Sequence, residues 1–300
     1  MRLVFFGTPD DAVPALHALH AAGHEIALVV TQPDRRRGRG SEPSASPVKH
    51  AAEELGLTVL TPERSSEVVD DVAKSGADLG VVVAFGQLLP EALLDAVPHG
   101  FVNVHFSLLP RWRGAAPVER AMLAGDPETG VCIMALEKGL DTGPIYARAV
   151  CPIAGHETAG ELRARLATLG TDLLVTTLPA VPNTTPSPQV GTPTYADKLN
   201  VEEFELDWEQ SAVDLARVVR SGNPRPGAWT TDHGGRLKIW RARALSASVD
   251  EPAGTVFGHT RVATGEGALE LVEVQPEGRR VMAANAWLAG RRAPTKLLGS

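Results

Sequence analysis

Leu79-Gly80-Val81-Val82-Val83-Ala84 is a run with no polar residue. A strand with one wet face alternates apolar and polar side chains, so this run reads as a strand buried on both faces. That is the situation of an inner strand in a parallel sheet. Outward from it, strands and helices alternate. Towards the N-terminus the pattern predicts a strand at 2–6, a Gly7-Thr8-Pro9-Asp10 turn and a helix at 14–22 ended by Gly23. A strand at 26–31, a helix at 47–55 ended by Gly56, a short strand at Val59 and a helix at 67–75 ended by Gly76 follow. Towards the C-terminus come a helix at 90–95 and a strand at 100–105. Glycine suits the left-handed residue that closes a helix. Alternation of this kind specifies an α/β fold with a doubly wound parallel sheet.

The chain changes character at 179–193, where Pro179, Pro182, Pro186, Pro188 and Pro193 stand among Thr, Ser, Asn and Gln. This reads as an extended, semi-stiff linker. Beyond it lie a helix near 212–221 and short β-runs at 228–231, 237–244, 254–257, 261–263 and 268–274. Five short strands after a helix suggest a small OB-like β-barrel. The expected division is a Rossmann-like domain over 1–180, a linker over 181–203 and a barrel domain over 204–300.

Composition narrows the function classes. Of 300 residues, 43 % are hydrophobic and 22 % charged, enough for about two packed domains. Aromatics make up only 5 %, which argues against a long base-stacking platform. No run approaches the roughly 18 apolar residues of a membrane span, and the start of the chain does not read as a signal peptide. The expectation is a cytoplasmic protein with no membrane partner. Cys132 and Cys151 form neither a disulfide framework nor a metal spacing, and no His-Glu-x-x-His pattern occurs, so no metal is expected. Net charge is −7. It is uneven: 16 Lys+Arg stand against 25 Asp+Glu up to Glu203, and 13 against 11 beyond it. That asymmetry permits a polyanionic partner without requiring one.

Candidate chemistry lies where strands of an open sheet end. Asn103 and His105 are two residues apart and leave the same face of their strand. Ser107 to Gly114 follow as a loop, and Asp141 sits on the turn Leu140-Asp141-Thr142-Gly143-Pro144. An amide can donate to an oxyanion, an imidazole can move protons near neutral pH, and a carboxylate can orient the imidazole. Together they suit attack by an amine on a formyl group, for which no Ser or Cys nucleophile is needed. From residue types alone, a buried structural His–Asp pair remains the alternative. Phe6-Gly7-Thr8-Pro9 lacks the Gly-x-Gly-x-x-Gly spacing of a dinucleotide site, so NAD and FAD are not expected. Arg35, Arg36, Arg37 and Arg39 crowd one loop of an otherwise acidic half, which is how a protein aims a nucleic-acid contact at one place.

The run Asn103-Val104-His105-Phe106-Ser107-Leu108-Leu109-Pro110-Arg111-Trp112-Arg113-Gly114-Ala115-Ala116-Pro117 resembles the signature of folate-dependent formyltransferases. Thr129-Gly130-Val131, Gly139-Leu140-Asp141-Thr142-Gly143-Pro144 and Phe6-Gly7-Thr8-Pro9 fit the same family. Thr31-Gln32-Pro33-Asp34, Ser46-Pro47-Val48-Lys49, Tyr195-Ala196-Asp197-Lys198-Leu199, Asp207-Trp208 and Asn223-Pro224-Arg225-Pro226 resemble its tRNA-formylating branch. The resemblance implies transfer of the formyl group of 10-formyltetrahydrofolate to the amine of methionyl-initiator tRNA, by a monomer without a metal. It implies Asn103, His105 and Asp141 as the catalytic trio. It also implies folate contacts from Ser107, Leu108, Leu109 and Pro110 and from Phe85, Gly86, Gln87, Leu88, Leu89 and Pro90. Contact with tRNA would fall to Arg35, Arg36, Arg37, Arg39 and Lys49. Phe106 stands where the family more usually has Gly, and is expected to narrow the pocket. Arg36 replaces the family's Pro, and Ser41-Glu42 stand near its usual Lys positions. Two rivals are a formyltransferase for a small amine and a non-catalytic RNA-binding protein on the same fold. The first would not need the Arg loop or the C-terminal domain, and the intact trio argues against the second.

Overall fold

A computed structural model of the chain describes residues 1–36, 43–246, 249–290 and 297–299. Packing divides the chain into two units. One holds Met1–Pro117, Glu128–Pro152 and Arg163–Ala196, the other Val118–Pro127, Ile153–Leu162 and Asp197–Ser300.

The first unit is built on a seven-stranded sheet. Its strands are β1 (Arg2–Gly7), β2 (Glu25–Val30), β3 (Val59–Leu60), β4 (Leu79–Val83), β5 (Phe101–His105), β6 (Glu128–Ala135) and β7 (Ile145–Pro152). They lie in the order β7-β6-β5-β4-β1-β2-β3. The first five strands are parallel, while β6 and β7 run antiparallel. Every residue of β4 is buried, as its composition predicts. From β1 the chain builds outward through β2 and β3, then crosses to the other side for β4 and β5. A crevice opens at such a reversal, outside the carboxyl ends of the strands. Helices α1 (Val13–Ala21), α2 (Pro47–Glu54), α3 (Val69–Lys74) and α4 (Glu91–Leu94) fill the connections. The expected helix-ending glycines Gly23, Gly56 and Gly76 have φ of 81°, 69° and 65°, the left-handed conformation that only glycine adopts freely.

The sheet's interior is close-packed. Phe6 meets Phe85 and Phe101 edge to face, with ring centroids 5.2 and 5.5 Å apart. A Cβ added to Gly80 would overlap the Phe101 ring, which is itself buried. Gly80→Ala is therefore expected to destabilise the protein by about 1–3 kcal/mol through overpacking. A fall in the urea midpoint at unchanged slope would register it; an unchanged midpoint would mean the ring yields freely.

Three features differ from the sequence reading. The hairpin β6–β7 was not anticipated; it adds two antiparallel strands beside β5. Val131, Cys132, Ile133 and Met134 at its centre are all buried. Second, the proline-rich stretch is held down as well as extended. Leu178–Asn183 forms a 3-10 helix, Ser187 pairs with Ile145, and Tyr195–Ala196 pairs in parallel with Arg113–Gly114.

Third, the C-terminal strands do not close into a barrel among the described residues. They are β8 (Ala228–Asp232), β9 (Gly235–Leu245), β10 (Val256–Phe257), β11 (Arg261–Ala263), β12 (Ala268–Pro276) and β13 (Met282–Ala283). The sheet runs β8-β9-β12-β11-β10, with β13 also paired to β12. All its pairs are antiparallel. The two-residue β10 pairs with β11 alone, so nothing in the ladder joins it back to β8. The helices that follow α4 in the chain are α5 (Pro117–Leu123), α6 (Ala159–Thr177) and α7 (Ala212–Gly222), and α7, whose first turn is capped by the Ser211 hydroxyl accepting from Asp214 N, belongs to the same unit as these strands. Its Leu215 and Val219 join Trp208, Ile239, Leu271 and Trp287 in one core.

Cys132 and Cys151 are buried and are not joined in a disulfide. Burial pushes the Cys132 thiol above its ordinary pKa. Among the described residues no helix is long and apolar enough to cross a membrane, and no cluster of His, Cys, Asp or Glu is arranged to hold a metal.

Candidate active site

Asn103 and His105 project from the same face of β5. The residues between and after them, Val104 and Phe106, alternate to the other side. The Phe106 ring is buried against Gly170 of α6 (Ala159–Thr177), where a Cβ would lie 3.6 Å from it. It therefore packs away from the Asn103 face and does not narrow the pocket. Strand alternation, invisible in a motif match, is the reason.

Asp141 reaches His105 by a different route from the one expected. It does not lie at the carboxyl end of a strand. β6 is antiparallel to β5, and Ala135 at its end faces Val102 near the start of β5. The β6–β7 connection leaves there and folds back until Asp141 Oδ2 is 3.6 Å from His105 Nδ1. Asp141 adopts a left-handed φ of 51°, which aspartate tolerates better than most residues. Gly114 N donates to the same Oδ2 at 2.8 Å, fixing the carboxylate from the opposite loop. Side-chain exposure is 6 % for His105 and 13 % for Asp141, so little water screens the pair.

The other imidazole nitrogen, Nε2, lies 2.9 Å from Trp112 O. A carbonyl can only accept, so Nε2 carries a proton. In the neutral ring Nδ1 is then the free basic nitrogen, and it faces the carboxylate. The pair can thus hold one further proton between Nδ1 and Oδ2. Asn103 is half-buried, and its carboxamide has no hydrogen-bond partner among the described residues. A part-desolvated amide is costly unless something accepts from it, and a substrate oxygen would do so.

The folate candidates fall into two groups. The side chains of Phe85, Ser107 and Leu109 are buried. Phe85 packs on Phe6, Ser107 Oγ donates to Arg111 O at 2.6 Å, and Leu109 packs with Cys132, Met134 and Ile145. These residues build the loops. Leu88 is 75 % exposed, and Gln87 and Leu88 anchor their loop on Glu63 and Ser65. Gly86, with φ of 84°, lets Gln32 approach; Gln32 Nε2 donates to Phe85 O at 2.8 Å. Leu89 packs on the core and Pro90 precedes α4. Leu108 and Pro110 are half-buried. The two loops leave the carboxyl ends of neighbouring strands β4 and β5, and the accessible apolar groups Leu88, Leu108 and Pro110 fit a flat, partly apolar ring system.

The Arg loop has a fixed base. Thr31 and Ser46 share a buried hydroxyl pair at 2.6 Å, and Arg35–Arg36 pairs with Pro43–Ser44. Lys49 Nζ bonds both oxygens of Asp34, at 2.8 and 3.0 Å, which raises its pKa. Its charge is thus engaged at the foot of the loop. Arg35 is exposed. Arg37 and Arg39 lie outside the described residues.

Sequence reasoning missed the groups that hold these pieces in place. Gln189 and Thr194 hold the Trp112–Arg113 segment from the proline-rich stretch, and Gln189 also bonds the Asp141 turn. Each has an ordinary polar identity in a segment that reads as a linker, so no local signal could have marked it.

A doubly wound sheet presenting an amide and a His–Asp pair, with no Ser or Cys bonded to the histidine among the described residues, defines a group transferase whose acceptor supplies the nucleophile. Comparison with known proteins agrees. The formyl transferase model matches residues 1–178, and the model of the formyl transferase C-terminal domain matches 198–292. The chain belongs to the formyl transferase family, in the branch of the methionyl-tRNA formyltransferases. It is 48 % identical over 294 residues to the methionyl-tRNA formyltransferase of Roseobacter denitrificans, covering 97 % of this chain and 96 % of the relative. It is 49 % identical over 299 residues to that of Thiobacillus denitrificans, covering 97 % of each. HypX from Aquifex aeolicus, solved in complex with tetrahydrofolic acid, shares the fold at a TM-score of 0.68 and 15 % identity, covering 96 % of this chain and 47 % of that one.

Proposed function

We propose that this enzyme transfers the formyl group of 10-formyltetrahydrofolate to the free amine of methionyl-initiator tRNA, giving N-formylmethionyl-tRNA for the start of translation. The observation that carries the reading is the unpartnered Asn103 carboxamide on the same strand face as the nearly dry His105–Asp141 pair. The names of its close relatives support the choice of acceptor. The acceptor's free amine attacks the formyl carbon, a C–N bond forms, and the carbonyl oxygen takes negative charge. Asn103 Nδ2 donates to that oxygen. The His105–Asp141 pair accepts the proton that the amine sheds, and returns a proton to the donor nitrogen as its bond to the formyl carbon breaks. Tetrahydrofolate is the other product.

In this reading Phe85 to Pro90 and Ser107 to Pro110 form the folate cradle. The basic loop, with Arg35, Arg36, Arg37, Arg39 and Lys49, meets the tRNA. Residues 1–180 act as the catalytic domain, 181–203 as the connection and 204–300 as an RNA-binding domain, in a cytoplasmic monomer. The extents of the two family models support that division.

The test is an assay of formyl incorporation from 10-formyltetrahydrofolate. Charged initiator tRNA should be formylated and free methionine should not. Equal use of free methionine, or transfer only to a small amine, would overturn the assignment of acceptor.

The Arg loop carries its own expectation. Arg39 stands between Gly38 and Gly40, whose backbones take conformations closed to other residues and so can orient Arg39 in ways not open to its neighbours, and its guanidinium can fork onto phosphate or a base edge. Arg39→Ala should raise the KM for charged tRNA more than a single change at Arg35, Arg36 or Arg37. The three-arginine run should act as a diffuse attractor whose single losses shrink as salt rises. Kinetics at two salt concentrations decide it: four equal, salt-screened effects would remove any special role for Arg39.

A further inference from the structure

We propose that Gln189 is a positioning residue for formyl transfer, holding the Asp141 turn against the Arg113–Gly114 segment and so setting the carboxylate opposite His105. This rests on the catalytic reading of Asp141 given above.

The geometry is specific. Gln189 Nε2 donates to both Asp141 O and Gly143 O, each at 2.8 Å. Its Oε1 accepts from Arg113 Nε at 3.1 Å and from the Arg113 terminal nitrogen at 2.7 Å. Both amide protons and both acceptor positions are used, so the carboxamide has one possible orientation: flipped, it would set oxygen against two carbonyls. The two segments it joins are those that place Asp141. The turn supplies the carboxylate, and Gly114 N, next to Arg113, binds its Oδ2. No other side chain among the described residues bonds both segments.

Neighbouring contacts make the clamp stiff. Arg113 N donates to Thr194 O at 2.9 Å, Trp112 N donates to Thr194 Oγ1 at 2.9 Å, and Thr194 N donates to Pro110 O at 3.2 Å. Ile145 and Ser187 exchange backbone bonds at 2.7 and 2.9 Å on the far side of the turn. Residues 187–196 therefore bind this loop at several points, and within that stretch, among the described residues, Gln189 is the one whose side chain also reaches the Asp141 turn. Asp141 keeps a left-handed φ of 51° inside this arrangement. Such a backbone persists when its surroundings over-determine it.

Gln189→Glu separates two roles. The variant keeps the shape and strengthens the contact with Arg113, now a charge pair. It also sets a carboxylate against the carbonyls of Asp141 and Gly143, so the turn must open. If Gln189 serves only to anchor the strap through Arg113, the variant should work normally. If it positions Asp141, kcat should fall, by up to about 100-fold for a displacement near 1 Å. The KM for folate should stay within about twofold.

The experiment measures kcat and KM for formylation of charged initiator tRNA, per folded enzyme, for the native protein, Gln189→Glu, Asp141→Ala and the double variant. The expected result is a kcat loss of at least tenfold in the single Gln189 variant that shrinks to less than about twofold in the Asp141→Ala background. A Gln189→Glu enzyme with native kcat would overturn the proposal, as would a loss carried in full into that background. Should Gln189→Glu not fold, Gln189→Met, which keeps the volume and loses all four bonds, is put through the same cycle. Absence of formylation by the native protein would count against the proposed function itself.

Discussion

Asn103→Asp should lower the turnover of formyl transfer by roughly 100–1000-fold or more, the cost of one oxyanion donor, while folate binding changes little. The substitution is nearly isosteric, so the packing of β5 between β4 and β6 survives it. What changes is the sign of the group. Asn103 offers an amide N–H that nothing in the described protein accepts. Aspartate offers only acceptors and a negative charge. The oxygen that becomes an anion during attack would then meet repulsion in place of a hydrogen bond, and only in the transition state. The loss should therefore appear in kcat with KM nearly constant. Steady-state kinetics with both substrates varied would reveal it, and near-native turnover would exclude Asn103 as the oxyanion donor.

Removing His105 or Asp141 should each cost about 10²–10⁴-fold in turnover, and removing both should cost little more than the worse of the two. The reason is the shared proton. His105 Nε2 is committed to Trp112 O, which leaves Nδ1 facing Asp141 Oδ2 at 3.6 Å. Each group needs the other to hold the proton between them. Without Asp141 the imidazole loses its counter-charge and its orienting partner. Without His105 the carboxylate keeps its bond from Gly114 N but has no imidazole to work through. The measurement is a double-mutant cycle of His105→Ala and Asp141→Ala. A double variant that loses the product of the two single losses would mean that they act independently.

Much of this was legible in the residues. The apolar run at 79–84, the glycines that end helices and the Asn103/His105 spacing depend on near neighbours in the chain. Steric and solvation rules act at that range, so the parallel core of the sheet and the shared strand face of Asn103 and His105 could be read directly. Phe106 marks the edge of that reading. As part of a motif it looked like a pocket residue, yet the alternation of β5 turns its ring towards Gly170.

The sequence by itself determined the α/β class of the sheet domain and the family. Tertiary structure alone decided how Asp141 arrives at His105. Its hairpin leaves beside Val102 and must fold back, a path set by antiparallel register between strands more than twenty residues apart. It also decided that Gln189 of the proline-rich stretch bonds the Asp141 turn. Both depend on hydrogen bonds between segments distant in the chain. A glutamine, a proline run or an aspartate on a turn has many possible partners, and only the packed protein selects among them.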